Sequence, residues 1–258
     1  MLARLIHHKI GKLDRAIPVK EIAQALDITE IKLAEMDGCE GVLLTDRARS
    51  RGPILVNNQP GPQAARFGIA HELGHFLMER HELGLNGIMR CTKDDFRQSR
   101  TDRKNRKQEV EANEFAISLL APAYKTAPIF AQQPDIASVE ALSCSLNLSL
   151  EAAVRCLVDG HDEPLAAVWT SYGRIRYTVR GPKFPWLVRS TGEDVSKLSR
   201  THGELAKQSP LTSKMSEVAT SIWTDAEISE LYEQVRVGKN GLSLTLLWAT
   251  LGDETEED

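Results

Sequence analysis

The sequence predicts an α+β protein, and three observations support this class. Several segments repeat apolar residues at helical spacing, whereas short apolar runs bounded by Gly, Pro and Asn are typical of strands. Apolar residues form 41% of the 258-residue chain and charged residues 26%, which suits a packed core and excludes disorder of the whole chain. The pattern changes near residue 161, where helical spacing gives way to strand-like runs.

The first eighty residues predict two short helices, two strands and one long helix, in that order. Residues 17–36 carry apolar side chains at helical spacing, and a break at Asp27 separates the two short helices. The apolar runs 41–45 and 53–57 predict strands, since Gly, Pro and Asn bound them. A Pro- and Gly-rich loop then leads into a strongly helical segment over residues 64–80.

The middle of the chain predicts a basic segment followed by a helix. Residues 82–107 show no apolar rhythm, and the part from 90 to 107 carries a net charge of +5. A segment of this length predicts either a functional flap or partial disorder. Its charge suits a solvated loop, or a surface that steers an acidic substrate or contacts a phosphate backbone. Helical spacing resumes over residues 107–120 and stops at Ala121-Pro122.

The last third of the chain predicts a helical pair and then a smaller mixed module. Residues 138–159 have the spacing of two helices and resemble a helix-turn-helix, although paired helices occur in any α-rich domain. DNA is therefore the less favoured partner. Residues 165–179 predict a β-hairpin and residues 242–250 a late strand. We expect three parts: a metallopeptidase-like domain over 1–125, a helix-turn-helix-like segment over 126–160, and a mixed C-terminal module over 161–258.

The composition argues against several classes of protein. No apolar stretch reaches the ~20 residues of a membrane helix, and the N-terminus has too short an apolar run for a signal peptide. The net charge of −4 does not indicate nucleic-acid binding by the chain as a whole. The cysteines lie far apart and form no CxxC pair, which argues against a disulfide scaffold: Cys39, Cys91, Cys144 and Cys156. We expect a cytoplasmic protein without membrane contact.

The most informative motif is the run His71-Glu-Leu-Gly-His75, which lies in an apolar helical segment. Residues four apart on a helix lie on one face about 5–6 Å apart, so the two imidazoles are spaced to bind one zinc ion. Glu72 lies beside the pair, where a carboxylate acts as general base toward water and passes the proton to the leaving amine. The alternative is a pair of partly exposed helical histidines that bind no metal.

Two histidines leave a catalytic zinc ion one protein ligand short, and the helix over 107–120 offers two acids. That helix has one apolar stripe: Ala112, Phe115, Ala116, Leu119 and Leu120. Glu109 lies ~50° from the centre of the stripe and Glu111 ~110° from it, so Glu109 faces the core. We predict Glu109 as the third ligand, with Glu111 as the alternative. Asn113, one turn below Glu109, either orients that carboxylate or bonds to nearby backbone.

Together these two motifs resemble those of the ImmA/IrrE family of metallo-endopeptidases. The run Arg66 to His75 is followed about 35 residues later by the run Glu109 to Pro122, and the resemblance covers roughly residues 15–160. It implies a zincin-like peptidase domain with a gluzincin-type site. By the same resemblance, His71, His75 and Glu109 bind one zinc ion per chain and Glu72 is the catalytic base.

The resemblance also implies a function. Members of the family typically act inside bacteria and cleave a helix-turn-helix repressor. We therefore expect a zinc-dependent endopeptidase whose substrate is a repressor of this type. The alternative function is a metal-binding transcriptional regulator or sensor without proteolysis. The motifs assign no role to residues 161–258.

Three residues near the motifs have two interpretations each. Cys91 lies in the basic segment, where a soft thiolate is able to cap the zinc ion and keep the enzyme latent. An ordinary loop cysteine is the favoured interpretation. A peptidase also needs a donor for the oxyanion of its tetrahedral intermediate, and Tyr124 and His81 are candidates. For both, a structural role is favoured.

Overall fold

The computed structural model describes residues 2–92, 103–207 and 211–251. Helices and strands both contribute to it, which confirms the predicted mixture of α and β structure. The chain divides into two compact units, which are Met1–Thr126 with Ser143–Ala152, and Ala127–Leu142 with Ala153–Asp258. The domain boundaries expected from the sequence stay a prediction.

The first unit contains a four-stranded sheet and the helices that carry both motifs. Its helices include α1 (Leu2–Ile10), α2 (Val19–Ala25), α3 (Pro62–Leu77) and α4 (Arg103–Leu120). Its strands are β1 (Ile28–Ala34), β2 (Gly41–Leu44), β3 (Gly52–Asn57) and β4 (Ile88–Cys91), and a 3-10 turn over Leu85–Gly87 precedes β4. The sheet order is β1-β3-β2-β4, in which β1 runs parallel to β3 and the other neighbours are antiparallel.

One sequence prediction is wrong, because the residues after Asp27 form strand β1 and not a second short helix. Helix α2 stops before Asp27, whose backbone is left-handed with a φ of 68°. The residues that follow include the β-branched Ile28, Thr29 and Ile31, which favour a strand. Strand β1 then pairs along β3 as far as Ala34. Sheet pairing therefore outweighs the helical spacing of the apolar residues.

The segment between the two motif helices contains strand β4, which the sequence analysis did not predict. This strand pairs antiparallel with β2, and Cys91 at its end lies opposite Gly41. Cys91 is therefore a strand residue and not a loop residue. Residues 93–102, the middle of the predicted basic segment, lie outside the described part of the chain. Helix α4 begins at Arg103, a few residues before the predicted start.

Helices α3 and α4 approach closely because a glycine lies between them. A Cβ atom at Gly74 would lie only 2.9 Å from Cδ1 of Phe115 and 3.4 Å from the backbone of Ala112. The apolar stripe that the sequence predicts on α4 is confirmed, since all five of its residues are buried. The other side of α3 packs on the sheet, where Gly68 faces Val56 of β3. This packing holds the two motif helices against each other.

Three further helices follow α4 in the chain: α5 (Ala123–Phe130), α6 (Ile136–Leu146) and α7 (Leu150–Gly160). The last two confirm the helical pair predicted over residues 138–159, whereas a helix-turn-helix role for them stays a prediction. Among the described residues, no single helix is both long and apolar enough to cross a membrane. Helices α6 and α7 reach that length only together, as a pair bent by 115°.

The second unit contains an antiparallel six-stranded sheet. Its strands are β5 (Leu165–Ser171), β6 (Arg174–Arg180), β7 (Leu211–Thr212), β8 (Ser216–Val218), β9 (Glu230–Val237) and β10 (Leu242–Thr250). The order is β6-β5-β10-β9-β7, and β8 also pairs with β9. Helix α8 (Arg200–Ala206) and a 3-10 turn (Thr220–Ile222) complete the elements described there. The predicted hairpin and the predicted late strand are both confirmed as β5, β6 and β10.

Strand β9 escaped the sequence analysis because the polar residues Glu233 and Gln234 occupy buried positions in its middle. Glu233 in the middle of the strand is fully buried. The backbone N–H and the hydroxyl of Thr201 each donate to its Oε1 atom at 2.8 Å, and the Trp223 indole donates to its Oε2 atom at 3.1 Å. These bonds satisfy the carboxylate in the core, so the strand lacks the apolar pattern of a buried strand.

Candidate metal centre

Helix α3 places the two histidines of the motif on one buried face. His71 and His75 are each 0% exposed, and the centroids of their rings lie 4.6 Å apart. Their Nε2 atoms lie 3.0 Å apart, which follows from a separation of one helical turn. Burial lowers the pKa of His75 to about 4, so this ring is neutral at pH 7 and has one nitrogen that bears a lone pair.

Helix α4 brings Glu109 to the same point. The Oε2 atom of Glu109 lies 3.1 Å from Nε2 of His71 and 3.4 Å from Nε2 of His75. Burial of Glu109 raises its pKa, but the two adjacent imidazoles outweigh burial and lower that pKa to about 2. Glu109 is therefore a carboxylate at neutral pH, in a pocket where its side chain is almost wholly buried.

Hydrogen bonds to the far sides of both rings fix their tautomers. Nδ1 of His71 lies 2.9 Å from Oδ1 of Asn113, and because an amide oxygen only accepts, this Nδ1 carries the proton. Nδ1 of His75 lies 2.8 Å from Nδ1 of His81, whose Nε2 lies 3.0 Å from Oε2 of Glu111. The Glu111 carboxylate accepts from Nε2 of His81, and burial lowers the pKa of His81 and so favours its neutral ring. Nδ1 of the neutral His81 bears a lone pair and accepts from Nδ1 of His75. Nε2 of His75 thus bears a lone pair, and Nε2 of His71 presents one when a metal ion displaces its proton.

The donor set fits a tetrahedral metal ion. Bonds of ~2.0–2.1 Å to nitrogen and oxygen put neighbouring tetrahedral ligands about 3.3–3.4 Å apart. The three distances among Nε2 of His71, Nε2 of His75 and Oε2 of Glu109 are 3.0, 3.1 and 3.4 Å. Oε2 of Glu109 is buried and accepts no hydrogen bond from the described residues. A cation is able to take the place of the His71 proton between these three buried donor atoms, so these residues fit a metal ion.

Cys91 joins this group from strand β4. Among the described residues, one ligand atom each of His71, His75, Cys91 and Glu109 lie within 4.8 Å of one another, and all four residues are buried. The sequence analysis weighed Cys91 as a cap on the metal and favoured an ordinary loop cysteine. The structure places its sulfur beside the other three donors, because the pairing of β4 with β2 carries the end of β4 to the motif helix.

Glu72 is fully buried on α3 and lies against strand β2. A Cβ atom at Gly41 would lie 2.0 Å from Oε1 of Glu72, so only glycine leaves room for the carboxylate in this position. The charge of Glu72 acts on the neighbouring ring of the motif, since it contributes to raising the pKa of His71. No sequence signal marked Gly41, because the contact depends on the register of the sheet.

Arg49 fixes the end of the motif helix. Its guanidinium donates to the backbone carbonyls of His75 and His81. The first of these carbonyls belongs to the last turn of α3, where carbonyls lack helical partners, and the second belongs to the turn that carries His81. Arg49 thereby holds the relay from His75 through His81 to Glu111 in place. An isolated arginine in a turn carries no motif that would have predicted this contact.

The remaining candidates take other positions. Glu111, the alternative third ligand, is half-buried and contacts Nε of Arg80 at 2.9 Å as well as His81. Tyr124 lies at the other end of α4, where its hydroxyl accepts from the backbone N–H of Leu13 at 2.9 Å. His81 is buried between His75 and Glu111, so it acts on a ring of the motif. The sequence analysis weighed His81 as an oxyanion donor and favoured a structural role, but it did not predict this contact with His75.

Comparisons with known proteins bear on the family and the fold of the chain. A comparison with curated proteins finds no significant match. Among solved structures, a Mycobacterium tuberculosis transcriptional regulator is similar, with a TM-score of 0.60 and 14% sequence identity over 96% of this chain and 76% of that chain. At this identity, the likeness shows a shared fold alone. The Peptidase_M78 family, described as the IrrE N-terminal-like domain, matches residues 24–157, more than half of the chain. The resemblance drawn from the two motifs is confirmed, and the chain belongs to the IrrE N-terminal-like domain family.

Proposed function

We propose that this protein is a zinc-dependent endopeptidase that hydrolyses a peptide bond in a helix-turn-helix transcriptional repressor. The observation that carries the proposal is the convergence of Nε2 of His71, Nε2 of His75 and Oε2 of Glu109 within 3.4 Å of one another. Two histidines and a glutamate form the gluzincin-type ligand set of a zincin-like domain, and membership of a peptidase family supports the same activity.

Three side chains bind the ion in this proposal, and two others orient the ligands. His71, His75 and Glu109 would hold the ion, and their nitrogen and oxygen atoms suit zinc. A zinc ion held there supplies Lewis acidity to the scissile carbonyl and makes water a nucleophile at neutral pH. Asn113 and His81 keep the two imidazoles in the tautomer that presents Nε2. Together they keep the ligand set in place before substrate arrives.

Glu72 moves the proton. Its carboxylate takes a proton from the attacking water and delivers it to the nitrogen of the leaving amine, so that one group serves both halves of the reaction. Burial keeps bulk water away from this carboxylate, and the missing side chain of Gly41 leaves room for it. We assign no residue to the oxyanion, because Tyr124 and His81 are both bonded elsewhere.

The substrate is proposed from the family resemblance and from the similar solved structure. The substrate of a peptidase is a protein chain. The ImmA/IrrE resemblance implies that this protein is a repressor in the bacterial cytoplasm. The regulator from Mycobacterium tuberculosis shares the fold of this chain, which supports a place in transcriptional control.

A second candidate function follows from that same structure. A likeness to a transcriptional regulator over 96% of this chain favours a metal-binding regulator or sensor without proteolysis. In this case the metal centre is a sensor, and DNA is a partner through helices α6 and α7. Deletion of residues 138–160 would then abolish DNA binding, and a change at Glu72 would have no effect.

The variant Glu72→Gln distinguishes the two candidate functions. It is purified, loaded with zinc and incubated with a repressor that is encoded near this chain, and its cleavage of the repressor is compared with that of the wild type. Because a general base contributes ~10²–10⁴-fold, we expect repressor cleavage to fall by that factor while zinc remains bound. Glu114→Gln is the matched control, since Glu114 is exposed on α4, and it should cleave like the wild type. Wild-type protein that yields no fragment under any condition, or equal cleavage by Glu72→Gln, would exclude the endopeptidase.

A further inference from the structure

We propose that Cys91 is a fourth protein ligand of the metal ion and that it closes the site in the resting protein. Its ligand atom lies within 4.8 Å of those of His71, His75 and Glu109, and the residue is 0% exposed. The coordination is argued from the donor set alone. The consequence for activity rests on the proposed endopeptidase function, because latency has a meaning only for an enzyme.

The backbone of Cys91 is held at the edge of the sheet by strand β2 and the residue before it. Strand β4 pairs with β2 so that Cys91 lies opposite Gly41. The backbone N–H of Glu40 also donates to the carbonyl of Cys91 at 2.8 Å. Since the sheet fixes this residue, the sulfur reaches the other donors by rotation of its own side chain and without movement of the strand.

The distances suit a fourth ligand. A zinc–sulfur bond of ~2.3 Å and zinc–nitrogen bonds of ~2.0–2.1 Å put sulfur and nitrogen about 3.6 Å apart in a tetrahedron. The four ligand atoms already lie within 4.8 Å of one another, so the sulfur needs to move by little more than about an ångström to reach a bonding position. Thiolate sulfur is also the softest donor available in proteins and binds zinc strongly.

Burial of the whole group favours a closed site. A catalytic zinc site has three protein ligands and keeps its fourth position for water, whereas a site with four protein ligands is coordinatively closed. Here all four side chains are buried, and only Glu109, at 6%, has any exposure. Loss of the bond between metal and sulfur opens the position that water needs. Release of Cys91 from the metal is therefore the step that would activate the enzyme.

Cys39, in the loop just before strand β2, offers a matched control. Its thiol donates to the backbone carbonyls of Gly41 at 3.2 Å and Cys91 at 3.4 Å. It is thus a second cysteine in the same region, and burial raises its pKa, which keeps it a thiol. A ligand role belongs to Cys91 alone, so the two serine variants should behave differently.

The test loads the full chain with one equivalent of Co²⁺ and records its absorption spectrum. Thiolate ligation gives an intense near-ultraviolet charge-transfer band that nitrogen and oxygen ligands do not give. We expect this band in the wild type and in Cys39→Ser, and its loss in Cys91→Ser and Cys91→Ala. X-ray absorption of the zinc-loaded wild type should show one sulfur at ~2.3 Å, which requires no variant to fold. Cleavage by zinc-loaded Cys91→Ser should exceed that of the wild type.

The outcomes distinguish this inference from the proposed function. A wild type that binds one cobalt ion without the thiolate band, or a band that persists in Cys91→Ser, overturns the Cys91 ligand and leaves the endopeptidase proposal in place. A thiolate band in the wild type together with equal cleavage by Cys91→Ser and by the double variant Cys91→Ser/Glu72→Gln supports the ligand and overturns the endopeptidase. Absence of cobalt binding in every variant and in the wild type overturns both.

Discussion

The Nδ1 atom of His75 lies 2.8 Å from the Nδ1 atom of His81, and the far side of the His81 ring contacts Glu111 at 3.0 Å. This relay ends at a carboxylate, which only accepts, and burial lowers the pKa of His81 and so keeps its ring neutral; together these fix the direction of both hydrogen bonds. Nε2 of His75 therefore presents a lone pair to the candidate metal centre. A residue outside the HExxH motif thus determines the chemical state of a residue inside it.

Replacement of His81 should weaken metal binding without preventing folding. Loss of a group that orients a ligand typically costs ~10–100-fold in metal affinity, and we expect this loss for His81→Ala. Competition against a zinc chelator measures it. His202→Ala is the control, since His202 is exposed in the second unit and should leave the affinity unchanged. Equal affinities for His81→Ala and the wild type would mean that the relay does not act on the metal centre.

Asn113 should tolerate one substitution and not another. Its Oδ1 atom accepts from Nδ1 of His71 at 2.9 Å, and an aspartate at this position accepts the same bond. We expect Asn113→Ala to lose ~10–100-fold in zinc affinity and Asn113→Asp to retain it. Competition against the same zinc chelator measures the affinity of both variants. If both variants lose equally, the role of Asn113 is packing and not the orientation of His71.

Gly41→Ala should impair cleavage while metal content stays unchanged. The added Cβ atom would lie 2.0 Å from Oε1 of Glu72, so the end of this flexible side chain must move. Because a displacement of about 1 Å in a catalytic group costs up to ~100-fold, we expect a loss of that order in repressor cleavage. Gly203→Ala is the control, since a Cβ atom there meets nothing within 4 Å. Wild-type cleavage by Gly41→Ala would show that the position of Glu72 is not critical.

The cysteines outside the metal centre should differ in their reaction with iodoacetamide. Burial, together with the charge of Asp159, raises the pKa of Cys156 to about 12, and the residue is only 4% exposed. Cys144 is exposed. At pH 8 we expect alkylation of Cys144 in the folded protein and no alkylation of Cys156 until the protein is denatured, as measured by peptide mass spectrometry. Rapid labelling of Cys156 would contradict its placement in the core.

Local periodicity was enough to predict the two helices that form the centre. The spacing of His71 and His75 is set by one helical turn, and the apolar stripe of α4 determines that Glu109 faces inward while Glu111 is only half-buried. These are properties of a single helix, so the sequence alone contains them. The strands bounded by Gly and Pro, such as β2 and β3, follow from the same kind of local signal.

Contacts set by tertiary structure were not predictable in this way. The approach of Cys91 to the metal helix depends on the pairing of β4 with β2, and its four-residue strand carries no periodic signal. The position of His81 depends on a turn that Arg49 holds from another part of the chain. Strand β9 was not predicted because Glu233 interrupts its apolar pattern. In the sequence, a buried carboxylate whose hydrogen bonds are satisfied cannot be distinguished from a surface residue.

The most direct test of the account is the zinc content per chain of untagged protein after dialysis against a chelator. The wild type, Glu109→Gln and Glu111→Gln are compared. We predict one zinc ion per wild-type chain, loss of zinc from Glu109→Gln, and retention with weakened affinity in Glu111→Gln. A wild type that holds no zinc even after zinc is added back, or a Glu109→Gln variant that keeps a full equivalent, would contradict the assignment of the centre.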